Sequence, residues 1–180
     1  MDRFVALYRG INVGGNNPVK MEALRAMHEG LGHRDVASYI QSGNIVFSAS
    51  DSAEALARQA AGRFAAEFEF AARIMIIPAA RWSALVRGNP YASVAADVPK
   101  SVHAAICEGK PREAPLRELL ARTGGRESFV IKGSSIYLHA PDGVGTSKFA
   151  AGMERACAVP MTVRNWRTVE AIAAMLGTNK

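Results

Sequence analysis

The sequence holds only two cysteines, Cys107 and Cys157, in 180 residues. At most one disulfide can form, so a disulfide-stapled scaffold is excluded. Cys107 sits in the apolar run His103–Cys107, and both thiols are expected to be buried small hydrophobes. No apolar run approaches the roughly 18 residues that a membrane-spanning helix needs. The opening Met1–Arg9 is too short and too charged for a secretory leader. A cytoplasmic protein without membrane partners is expected.

Signatures of chemistry are scarce too. The four histidines (28, 33, 103 and 139) show no paired metal-ligand spacing, so no metal is expected. His28 and His33, five apart around a predicted helix end, are expected at the surface. Gly10, Gly14 and Gly15 hint at a dinucleotide loop, but Asn12 occupies the second glycine of G-x-G-x-x-G. Gly143, Gly145, Ser147 and Lys148 resemble a phosphate loop in composition only, because the G-x-x-x-x-G-K-[ST] spacing is absent. No cofactor is expected from either loop.

Charge of one sign is not concentrated. Residues 1–90 carry ten basic and eight acidic groups, and residues 91–180 carry twelve and eight. There is no basic arm of the kind that marks a nucleic-acid tail. The net charge of +6 and pI near 9.7 still favour anionic partners.

What is present is a packed-core composition, with 49% hydrophobic and 21% charged residues. Hydrophobic periodicity predicts a strand at 4–9, a helix at 20–31, strands at 36–41 and 44–49, a helix opened by Asp51 as N-cap with Glu54, and a strand at 72–77. A short helix spans 78–86, and 92–100 reads as a connector. The order then recurs: strand 102–108, helix 115–123, a hairpin of 128–132 and 135–139 around Gly133-Ser134, helix 147–157 and strand 161–163. Asn165 caps a last helix bearing Val169, Ile172, Ala173 and Leu176. The fold class is α+β: two tandem ferredoxin-like (βαββαβ) halves, with antiparallel sheets, helices packed on one face and a C-terminal helix. The halves are expected at 1–91 and 92–180, or merged into one compact domain.

Strand direction then gathers distant residues. In a split βαβ unit the first two strands are parallel, so the loop after the first and the turn after the second share a sheet end. That end would collect Arg9, Asn12, Gln41, Ser42 and Asn44 beside a helix start, where backbone N–H groups favour an anion. In the second half the richer corner would combine Lys148 with Arg164 and Asn165. Asp142, in the same loop as Lys148, is the candidate acid or base. Phe4, Tyr8 and Phe47 could form an RNA-stacking face, but the interleaved aromatics of an RNP1 motif are missing and core packing is favoured. Trp166 reads as a packing anchor.

Four stretches carry a family resemblance: Arg9-Gly10-Ile11-Asn12-Val13-Gly14-Gly15, Tyr39-Ile40-Gln41-Ser42-Gly43-Asn44-Ile45-Val46-Phe47, Tyr137 through Gly143, and Thr162-Val163-Arg164-Asn165-Trp166. On these the chain resembles the bacterial family catalogued as domain of unknown function 1697. The resemblance implies an α+β plait-like fold and brings no catalytic residues. The functional expectation is a binding protein for a phosphate-bearing small molecule or nucleic acid. An enzyme acting on a small anionic metabolite through Asp142, and an interaction module without chemistry, remain alternatives.

Overall fold

The computed structural model describes residues 1–178. Eight strands form two four-stranded sheets. In the first, β1 (Asp2–Arg9), β2 (Arg34–Tyr39), β3 (Asn44–Ala49) and β4 (Arg73–Pro78) stand in the order β2-β3-β1-β4. In the second, β5 (Val102–Cys107), β6 (Ser128–Lys132), β7 (Ser135–His139) and β8 (Met161–Asn165) stand in the order β6-β7-β5-β8. Every neighbouring pair is antiparallel. The helices are α1 (Met21–Gly30), α2 (Ala53–Phe68), α3 (Ala79–Arg87), α4 (Ala92–Asp97), α5 (Glu113–Thr123), α6 (Lys148–Cys157) and α7 (Trp166–Leu176). The connector expected at 92–100 thus contains α4 and a 3-10 turn at Pro99–Ser101.

The period-2 and period-3.6 patterns explain the layers. Alternate residues of β1 (Phe4, Ala6 and Tyr8), with Ile45 and Phe47 of β3, form one core with Leu24 and Met27 of α1 and Leu56, Ala60 and Phe64 of α2. Ala105, Cys107, Ile136 and Leu138 do the same with Leu116 of α5 and Phe149, Met153 and Cys157 of α6. Each fully buried large apolar side chain contributes about 1.5–3 kcal/mol. The aromatic trio Phe4, Tyr8 and Phe47 is core, with Phe4 and Phe47 stacked, and Trp166 is buried as an anchor.

The described chain divides into two compact units, one of residues 1–84 with 171–178, the other of residues 85–170. Both place the same chemistry at the same topological position. Ser52 accepts from the Ala55 N–H to cap α2, and Ser147 accepts from the Ala150 N–H to cap α6. Ser52 therefore replaces Asp51 as the cap. Asp51 lies one residue too early and accepts from the Gln59 side chain instead.

His28 and His33 are not at the surface. His28 is fully buried and His33 is 6% exposed. The final turn of α1 points His28 inward with Met27, and His33 stacks flat on Phe47. Among the described residues no helix is long and apolar enough to cross a membrane, and no cluster of three or more His, Cys, Asp or Glu could hold a metal.

Candidate functional site

The loop after β1 is built on left-handed backbone. Gly10, Asn12, Gly14, Gly15 and Asn17 all have positive φ. Asparagine tolerates this region because its short amide bonds locally. Asn12 does so fully. Its Nδ2 donates to the carbonyls of Val19 and Gln41, each at 2.9 Å, and its Oδ1 accepts from the Val19 N–H at 2.7 Å. Asn17 Nδ2 donates to the Gly10 carbonyl at 3.0 Å. One asparagine thus ties the loop to the entry of α1 and to the β2–β3 turn.

That turn is equally constrained. Asn44 is fully buried and donates through Nδ2 to the Tyr39 carbonyl and to Ser42 Oγ. Gly43 has φ +72, and a Cβ there would stand 2.7 Å from both Ile11 Cδ1 and Tyr8 Cβ. Only glycine fits.

Loop, turn and helix start enclose a recess of about 630 Å³ lined by residues 18–22, Asn12, Arg25 and Gln41. Lys20 occupies the N-cap of α1, and no side chain caps that helix end. The first backbone N–H groups and the positive end of the helix dipole therefore lack a capping side chain. Arg25, one turn further on, donates to Ser38 Oγ at 2.7 Å. Glu22 adds one carboxylate to the rim.

The sheet end expected to collect Arg9, Asn12, Gln41, Ser42 and Asn44 does collect them, since β1 and β2 end together on either side of β3. Their roles differ from the expectation. Both amide N–H groups of Asn12 and of Asn44 are engaged within the protein, so these residues shape the recess rather than offer donors to a ligand. Arg9 pairs across the sheet with Arg73 and does not line the recess. Gln41 does line it. Lys20 and Arg25 were missed. Their signal was the helix start itself: a helix beginning at Met21 stations Lys20 at its mouth and Arg25 one turn above Met21.

In the second unit Asp142 and Lys148 share a small recess of about 240 Å³ with Arg126 and Glu127. Arg126 donates to both oxygens of Asp142. These hydrogen bonds hold the exposed Asp142 carboxyl below its usual range, and charged, which suits an ion pair better than a general acid. Arg164 and Asn165 do not line this recess. Arg164 donates to Thr162 Oγ1 and the Val163 carbonyl, and burial lowers its guanidinium to about 10. Asn165 caps α7 by accepting from the Arg167 N–H and donates to the Lys100 carbonyl. The corner expected to unite Lys148 and Arg164 is thus two separate sets of contacts.

A larger recess, about 910 Å³, lies at the opposite sheet end, between the start of α5 and the Gly133 turn. It matches the first recess in topology. Arg112 stands where Lys20 does, again without a side-chain cap, and Leu116 is buried four residues on, as Leu24 is.

A solved structure, that of the conserved bacterial protein SP0830 from Streptococcus pneumoniae, is similar along almost the whole chain. The TM-score is 0.67 at 24% identity, covering 97% of this chain and 98% of that one, and the likeness is one of fold. No curated protein matches the sequence. A family described as "Protein of unknown function (DUF1697)" matches residues 1–137, a segment holding the two stretches that build the first recess. With well over half of its length matched, the chain belongs to the DUF1697 family.

Proposed function

We propose that the chain binds a phosphate-bearing ligand, a small molecule or the backbone of a nucleic acid, with the anionic group seated at the start of α1. One observation carries this reading: the α1 terminus without a side-chain cap opens on a recess flanked by Lys20 and Arg25. Three favourable terms then coincide: oriented N–H donors, the helix dipole and two cations. Asn12 supports the reading indirectly, because its three hydrogen bonds fix the loop, the turn and the helix entry that line the recess.

The test is a thermal-shift and calorimetric screen of inorganic phosphate, mononucleotides and short oligonucleotides. A ligand selective for the native state raises the apparent melting temperature. The expected result is salt-sensitive binding that Lys20→Ala with Arg25→Ala removes. Binding that ignores both salt and the double substitution contradicts it.

A further inference from the structure

We propose that the buried chain Tyr8–His28–His33 is a proton-operated latch. With both imidazoles neutral it ties the last turn of α1 to β1, and proton uptake by the pair releases the tie.

The geometry is that of a continuous hydrogen-bonded wire. Tyr8 Oη lies 2.8 Å from His28 Nε2, and His28 Nδ1 lies 2.9 Å from His33 Nδ1. The far nitrogen of His33, Nε2, is buried without a partner. Proton counting allows two neutral arrangements. In one, Tyr8 donates to His28, and His28 Nδ1–H donates to His33. In the other, His33 Nδ1–H donates to His28, and His28 Nε2–H donates to the phenol oxygen. Both satisfy the two contacts. A first added proton leaves a cation in the core, compensated by the wire and, at His33, by the charge of Asp51. A second sets N–H against N–H across 2.9 Å with no acceptor between.

The surroundings offer the charge little compensation beyond Asp51. Tyr8 faces the pair from β1, Phe47 packs on both rings from β3, and Asp51, before α2, acts on His33. Burial lowers His28 to about 3, with His33 adding to the effect. Burial also lowers His33, and Asp51 opposes it. Tyr8 is pushed upward by burial and stays a phenol.

The latch reaches the recess through two connections. The Tyr8 N–H donates to the Gly43 carbonyl at 2.8 Å, and Gly43 follows the turn residues Gln41 and Ser42. His28 belongs to the helix whose start forms the recess floor. That the latch governs ligand binding rests on the proposed function, whereas the latch itself does not.

The sign follows from linkage. A histidine whose pKa is lower in the folded state than in the unfolded chain adds stability above the unfolded value near 6.5. That stability is lost as pH falls from there toward the folded value. Each such histidine makes the unfolding constant rise about tenfold per pH unit across that window.

The experiment is denaturant unfolding of the full chain between pH 5 and 8, with histidine ring NMR of the native state. His33→Phe, which keeps the stack on Phe47, should reduce proton uptake on unfolding by about one, and Tyr8→Phe should alter the ring tautomers. In the wild type both rings should stay neutral near 6.5 and take up protons only at lower pH, where the tie opens. Sulfate, whose charge is constant over this range, probes the recess: its binding should weaken between pH 8 and 5 in the wild type and change less in His33→Phe. Equal uptake in wild type and variant, or either ring titrating near 6.5 in the intact fold, overturns the latch. If His33→Phe does not fold, the wild-type NMR decides. Absence of sulfate binding at pH 8 would count against the recess and leave the unfolding result to judge the latch.

Discussion

Tyr8 and Gly43 are in van der Waals contact across the strand end: the Gly43 carbonyl accepts the Tyr8 N–H at 2.8 Å, and a Cβ on Gly43 would stand 2.7 Å from Tyr8 Cβ. Backbone atoms fix both positions, so neither can yield cheaply. Gly43→Ala should destabilise the protein by about 2–4 kcal/mol, combining left-handed strain with overpacking. Gly133→Ala is the control. It has φ +58 but nothing within 4 Å of the new Cβ, and should cost only about 1–2 kcal/mol. Urea denaturation of both variants measures the difference, and equal losses would show that the contact does not matter.

Ile40 tests the same turn in the opposite direction. It is a β-branched residue at φ 49 with 52% of its surface exposed. Such a residue is strained in the left-handed region and has little burial to offset the strain. Ile40→Asn should stabilise the fold by roughly 1 kcal/mol, since asparagine adopts this conformation readily. A lower denaturation midpoint would mean that Ile40 packs in a way its exposure conceals.

Asn12 should behave as a brace. Asn12→Ala removes three hydrogen bonds and the tolerance for φ 55, at a cost of about 2–3 kcal/mol. Hydrogen exchange should quicken at Val19 and through the Gly10–Asn17 loop before it changes in β5–β8. Uniform quickening across the molecule would contradict a local brace.

Asp142 offers a negative control. Its partner is Arg126, and both side chains are well exposed, at 62% and 72%. Exposed pairs contribute little. Asp142→Asn should leave the denaturation midpoint where it was, and a large fall would show a structural role the exposure does not suggest.

The cysteines report on the second core. The thiols of Cys107 and Cys157 are both fully buried. Neither should react with a water-soluble thiol reagent in the native state, and both should react at the rate at which that core opens. Rapid labelling without denaturant would place the thiols outside the core.

Much of the fold was legible because its signals are periodic. Alternation in β1 and the i, i+3, i+4 pattern of α7 are imposed by burial on one face and survive in any single sequence. The β6–β7 hairpin was legible to the residue. The cap of α2 was misplaced by one position, because Asp51 and Ser52 are both good caps and only the backbone selects between them. The candidate site was half legible. Strand direction gathered Asn12, Gln41, Ser42 and Asn44 at one end, since topology alone dictates that. It could not reveal that Asn12 and Asn44 use their amides internally, nor that Arg164 lies apart from Lys148. Those outcomes depend on hydrogen-bond geometry, which has no periodic trace. His28 and His33 were misjudged because a polar residue near a helix end usually faces water. Here two imidazoles and a phenol hydrogen-bond one another in the core, with His33 Nε2 left over.

The most direct test of anion binding at α1 is a titration of the isotopically labelled protein with inorganic phosphate, followed by amide NMR. Saturable shifts are expected at Met21, Glu22 and Ala23 and at the Gln41 side chain, shrinking as salt is raised and vanishing in Lys20→Ala with Arg25→Ala. Shifts confined to other surfaces, or none at millimolar phosphate and low salt, would contradict the account.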